Sequence, residues 1–270
     1  MKSWESAMPA AAVKRLPKFV ELLAKRYEVE GRKGELTDLR EPFLLGAWWL
    51  LGQHAKRNGQ VRAFEALRRA KGLTPGQLLD LPPEKLAGIC QIAGPYEDAR
   101  MKTLQAFADD VEDKCGHDFA KVFEKPAAEV RAFLEQKLRT PRAFADFLLM
   151  YTGAPIFALD PQIVRVATRL GFVRVKTEKP FEKIYKDVQK ALEAETPKNT
   201  DALLRAHGLL HRLGGDLCLP VPHCGQCPLL KECPFAKKHP EFCAAPTVFA
   251  YRQALAEPAN LEVQSPKSKV

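Results

Sequence analysis

The chain has 270 residues, 46% hydrophobic and 28% charged, an ordinary globular composition that suits one or two domains with cores needing no crosslinks. Its longest apolar run, Phe43 to Leu51, is far shorter than the roughly 20 residues that span a bilayer. Met1 to Val20 lacks the apolar segment of a secretion signal, so a cytoplasmic protein with no membrane partner is expected. The 42 basic residues exceed the 33 acidic ones, a net charge of +9 that favours a polyanionic partner without naming one.

Apolar residues recur at helical spacing along the chain, and no stretch alternates as a strand would, so an all-α fold is expected. Leu45, Trp48, Trp49 and Gly52 mark a core helix that runs out into the polar Gln53-His54-Ala55. Punctuation follows at Thr74-Pro75-Gly76, Leu81-Pro82-Pro83 and Ala93-Gly94-Pro95, which read as loops. Phe144, Phe147, Leu148 and Tyr151 mark a second helix, and Ile163, Val166, Ala167 and Leu170 a third. Asp160 followed by Pro161 is the local chemistry of that third helix's start, an N-cap with proline at the first helical position. Leu203, Leu204, Leu210 and Leu213 mark a fourth, for which Gly214-Gly215 reads as a C-cap. Periodicity is lost after Pro240, so residues 237–270 are expected to form a poorly ordered tail.

Of seven cysteines, Cys218, Cys224, Cys227 and Cys233 fall within sixteen residues, spaced C-x5-C-x2-C-x5-C. An odd total with no signal segment argues against a secreted disulfide framework. Four thiolates this close read as one all-cysteine metal site, and the spacing leaves zinc and a cubane iron–sulfur cluster both open. Pro220, Pro222, Pro228 and Pro234 make the segment a loop wrapped around an inorganic centre.

In order, these pieces resemble the helix-hairpin-helix superfamily of DNA glycosylases, in the iron–sulfur branch typified by endonuclease III. Leu50-Leu51-Gly52-Gln53-His54-Ala55 is similar to that family's helix ending in a Ser-Ala-Gln segment. Ile92 to Arg100 resembles its Gly-x-Tyr-Asn-x-Lys-Ala loop, and Ala158 to Val166 its Val-Asp-Thr-His-Val-x-Arg-Val element. The cysteine loop stands where the family places its cluster ligands. The first cysteine gap is one residue shorter than the family's usual C-x6-C. The hairpin is degraded: Gln136-Lys137-Leu138-Arg139-Thr140-Pro141 replaces Leu-Pro-Gly-Val-Gly. Lyase members carry a nucleophilic lysine eighteen residues before the aspartate, where this chain has Arg142, a side chain that stays protonated and cannot form a Schiff base.

The resemblance therefore implies a monofunctional glycosylase, closest around Ala145 to Tyr151 to the branch that removes alkylated purines. Alternatives are a mismatch- or oxidised-base glycosylase of the same superfamily, a DNA-binding protein on a dead glycosylase fold, and a zinc-binding regulator. It implies two helical domains with the lesion cleft between them: a barrel over residues 45–153, and a cluster domain joining residues 1–44 to residues 154–236. Asp160 would be the catalytic carboxylate. Gln53 would fill the space of a flipped base and Pro95-Tyr96 would wedge the opposite strand, while Arg139 and Arg142 would contact phosphate. Trp48, Trp49, Phe144 and Tyr151 are candidates to line an aromatic pocket. Cys218, Cys224, Cys227 and Cys233 would hold a [4Fe–4S] cluster, with Cys243 outside the set. The expected partner is double-stranded DNA containing a damaged base, bound by a monomer.

Overall fold

The computed structural model describes residues 14–27, 40–55, 58–116, 118–173 and 181–243. Among these residues the chain is helical with no strand, the all-α architecture its periodicity predicts. After α1 (Arg15–Tyr27) come α2 (Pro42–Gly52), α3 (Gly59–Arg69), α4 (Pro75–Leu79), α5 (Pro83–Ala93) and α6 (Glu97–Cys115). There follow α7 (Phe119–Val122), α8 (Ala127–Gln136), α9 (Arg142–Tyr151), α10 (Pro161–Arg169), α11 (Phe181–Glu195), α12 (Thr200–Asp216) and α13 (Pro234–Lys238).

Helix starts are written locally. Glu41 caps α2 by accepting from Phe43 and Leu44 N–H at 3.1 and 2.7 Å, and Pro42 takes the first helical position. Thr74 caps α4 ahead of Pro75, and Pro82 precedes Pro83 at the start of α5. The punctuation expected to form loops at Thr74-Pro75-Gly76 and Leu81-Pro82-Pro83 thus begins helices, because a proline at the first turn forfeits no hydrogen bond.

The chain divides into two compact units. One holds the described residues within Gly31–Leu159 and Pro197–His207. Its core is aromatic: Phe43 stacks on Phe107 at 5.6 Å, and Phe107 meets Phe144 edge-on at 5.3 Å. The other holds the described residues within Met1–Glu30, Asp160–Thr196 and Gly208–Val270. Here Leu16, Phe19 and Leu23 of α1, Val188 and Leu192 of α11, and Ile163 and Val166 of α10 are buried. Glu195 closes this unit locally, one carboxylate oxygen accepting from both Arg15 and Leu16 N–H at 2.7 Å. The division falls at Asp160, and α12 up to His207 belongs with the aromatic unit.

Gly214-Gly215 is not a C-cap. Both glycines lie inside α12, and a Cβ on Gly214 would come within 2.7 Å of the Gln162 Cβ. The missing side chain lets α10 and α12 approach, a tertiary reason that mimics the local signal of a helix end. Nor does order stop at residue 237. α13 continues to Lys238 and a single 3-10 turn spans Pro240–Phe242, while residues 244–270 of the expected tail lie outside the described residues.

Candidate active site and cysteine centre

α10 begins at Asp160, whose Oδ1 accepts from Ile163 N–H at 2.7 Å. Its Oδ2 lies 2.5 Å from Nδ1 of His211 on α12. The Asp160 side chain is 22% exposed and that of His211 is 51% exposed, so the pair sits at a surface rather than in the core. Burial pulls the His211 imidazole down, but the hydrogen bond and charge of Asp160, with the charge of Asp216, outweigh it and leave its pKa above the ordinary value. Nothing in the sequence marks His211, because its partner lies fifty-one residues away and meets it only through the α10–α12 packing.

The other end of α10 grips the cysteine segment. Arg165 donates to the Gly214 and Cys218 carbonyls at 2.9 and 2.8 Å. Arg169 donates to the Leu219 and Pro220 carbonyls at 2.5 and 2.8 Å, and its guanidinium lies 4.6 Å over the Phe235 ring. Cys218, Cys224, Cys227 and Cys233 all line one cavity, walled otherwise by Arg169 and apolar side chains such as Leu213, Leu217 and Leu230. None of the four is in a disulfide. Burial pushes the Cys224 thiol up to about 12, helped by Cys243, Cys233, Cys218 and Cys227, and the Cys227 thiol up to about 11. At such values the thiols are protonated at neutral pH, as expected for cysteines buried in apolar surroundings. Among the described residues no group of three or more His, Cys, Asp or Glu side chains is gathered to hold a metal ion. Cys243 does not line the cavity, yet it is near enough to Cys224 to raise that thiol, and its carbonyl packs against Gly225.

In the aromatic unit, Gln53 follows α2 with its side chain exposed, and Pro95 and Tyr96 follow α5, with Tyr96 66% exposed. The structure brings these two loops together through Arg100, only 4% exposed. Its guanidinium donates to the Gln53, Pro95 and Cys90 carbonyls at 2.8, 3.0 and 2.9 Å. His54 and Tyr96, both in the left-handed region at φ 53° and 67°, stack edge-on at 5.5 Å. Of the four candidate pocket aromatics, Trp49 and Phe144 meet edge-on at 5.1 Å. Trp48 and Phe144 are buried against Phe64 and Phe107, Trp49 is half-buried against Phe144, and Tyr151 packs on Phe147 at 4.5 Å.

α8 and α9 flank residues 137–141 as a helix–loop–helix, with Thr140 bonding the Leu134 carbonyl through both its N–H and its hydroxyl. Arg139 holds φ at 51° with a side chain 79% exposed, so the turn keeps a left-handed residue although no glycine is present. Arg142 is turned differently. Its Nε lies 3.6 Å from Oδ2 of the fully buried Asp146, whose Oδ1 is bound by Arg131 at 2.6 and 2.8 Å.

Solved structures share this architecture. Endonuclease III trapped on DNA superposes with a TM-score of 0.62 at 22% identity, over 85% of this chain and 99% of that one. A thermostable thymine-DNA glycosylase gives 0.63 at 17% identity, over 85% of this chain and 100% of that one. The chain has the helix-hairpin-helix DNA glycosylase fold. A third example of that fold, the 3-methyladenine DNA glycosylase of H. pylori bound to 1,N6-ethenoadenine, superposes at 0.56 and 15% identity, over 74% of this chain and 97% of that one. No protein-family model and no curated protein matches the chain by sequence.

Proposed function

We propose that the protein is a monofunctional DNA glycosylase that hydrolyses the N-glycosidic bond of a damaged base, an alkylated purine, flipped from duplex DNA. The observation that carries this reading is Asp160, a partly exposed carboxylate held at the start of a helix on a chain with a glycosylase fold. As the base departs, positive charge grows on the sugar. A fixed anion beneath C1′ stabilises that charge, and the carboxylate can take the proton of the water that adds there. The helix N-terminus favours the anionic form of the carboxylate. An alkylated purine already carries positive charge and leaves as a neutral base, so it needs no general acid.

The base must first leave the stack, at a cost of a few kcal/mol. Gln53, Pro95 and Tyr96 would bear that part of the work, on two loops that Arg100 ties together, while Arg139 would meet phosphate with its side chain. Arg142 supports the absence of lyase chemistry, since it carries no deprotonable amine and already faces Asp146. Cys218, Cys224, Cys227 and Cys233 would hold a [4Fe–4S] cluster, whose contribution is to crosslink the segment that Arg165 and Arg169 attach to α10.

Excision from a panel of duplex oligonucleotides, each bearing one lesion and read with and without alkali, tests the reading. The expected result is release of an alkylated purine with the strand intact until alkali is added. No release from any lesion would refute the glycosylase reading, and a borohydride-trapped covalent adduct would refute the monofunctional one.

A further inference from the structure

His211 belongs to no motif read from the sequence, yet it touches the residue on which the proposed chemistry turns. Asp160 Oδ1 is engaged by Ile163 N–H and Oδ2 by His211 Nδ1, so the two contacts together fix the rotation of the carboxylate. A neutral imidazole donating from Nδ1 leaves the pair with one negative charge. Protonation at Nε2 makes the pair neutral overall. Among the described residues the charged groups around it include Asp160 from the start of α10, Asp216 from its own helix, Arg212 paired with Asp216 at 3.7 Å, and Arg165 of α10, which feels the Asp160 charge.

We propose that His211 is a positioning residue that also gates the charge of Asp160: neutral His211 aims an anionic carboxylate at the reacting sugar, and protonated His211 cancels that charge. The proposal rests on the role given to Asp160 above. A sugar cation is stabilised by a net anion and much less by a neutral pair. Because Asp160 and Asp216 hold the imidazole protonated to higher pH than usual, excision rises as pH increases through that raised pKa. A histidine serving only to buttress α10 against α12 would give no such limb.

The test is single-turnover excision of an alkylated purine from about pH 5 to about pH 8.5, by the purified protein with its metal, as wild type, His211→Asn and His211→Phe. Asparagine places an amide N–H near the position of Nδ1 and cannot become charged; phenylalanine removes the donor. The wild type is expected to gain about tenfold along the acid limb. His211→Asn loses that limb and stays within about threefold of the wild-type plateau, and His211→Phe also loses it and runs about tenfold below that plateau, as for a lost hydrogen bond to a charged group. In parallel, the His211 ring followed by NMR titrates at lower pH in Asp160→Asn than in wild type. An unchanged acid limb in His211→Asn, wild-type rates in His211→Phe, or the same His211 titration with and without the Asp160 carboxylate would each overturn the proposal. Wild-type excision that is lost in Asp160→Asn but indifferent to both His211 variants defeats this proposal alone. No excision by the wild type defeats the glycosylase reading, and this proposal with it.

Discussion

At the start of α10 a single carboxylate caps a helix with one oxygen and meets an imidazole with the other, and the second contact links stability to pH. The folded pKa of His211 lies above its ordinary value of 6.5, so the pair's contribution is fully present below that value and fades as pH rises through the folded one. The melting temperature of His211→Asn is therefore expected to fall furthest below wild type near pH 6 and to converge on it above the raised pKa; a gap independent of pH would contradict this. Asp146 presents the opposite case, a fully buried carboxylate with Arg131 on one oxygen and Arg142 near the other. Replacing it with Ala leaves two guanidinium groups without their buried partner, and a loss of about 3–5 kcal/mol is expected by denaturant unfolding. A loss below about 1 kcal/mol would show that solvent reaches the arginines in its place.

At the scale of elements, α10 organises the unit that carries the four cysteines, with Asp160 at its first turn and Arg165 and Arg169 holding the cysteine segment farther along. Its fit against α12 depends on Gly214. Gly214→Ala adds a methyl where the Gln162 Cβ stands 2.7 Å away, so a destabilisation of about 1–3 kcal/mol is expected, together with slower excision as the first turn of α10 shifts. An Ala variant as stable as wild type would contradict the close approach. These elements also separate what was legible in the sequence from what was not. Asp160-Pro161 announced its helix because capping is chemistry between neighbours, and the four cysteines announced that they would line one cavity because their spacing is short. Gly214 misled for the converse reason: its role is set by Gln162, fifty-two residues earlier, and a local rule assigns such a glycine to a helix end. Arg100 lay within a recognised motif, but its grip on the Gln53 carbonyl, forty-seven residues away, needs the folded chain. The proposed cluster has its own check. Iron and sulfide are expected in the purified protein, lost in Cys224→Ser and retained in Cys243→Ser; one zinc without iron would contradict the cluster.

For the whole molecule, the helical periodicity sufficed to predict an all-α chain, and the order of short motifs along it anticipated the glycosylase fold that the structure displays. Side-chain partners such as His211 escaped that reading because amphipathic spacing states which face of a helix is buried and not what crosses to meet it. The central claim is that Asp160 supplies the negative charge for base excision, and Asp160→Asn tests it most directly, because asparagine caps a helix nearly as well as aspartate and removes only the charge. Single-turnover excision of an alkylated purine, measured beside a thermal melt, is predicted to slow at least about a hundredfold in a variant that still melts near wild type. Excision at near wild-type rate by that stably folded variant would contradict the account and leave Asp160 as a helix cap alone.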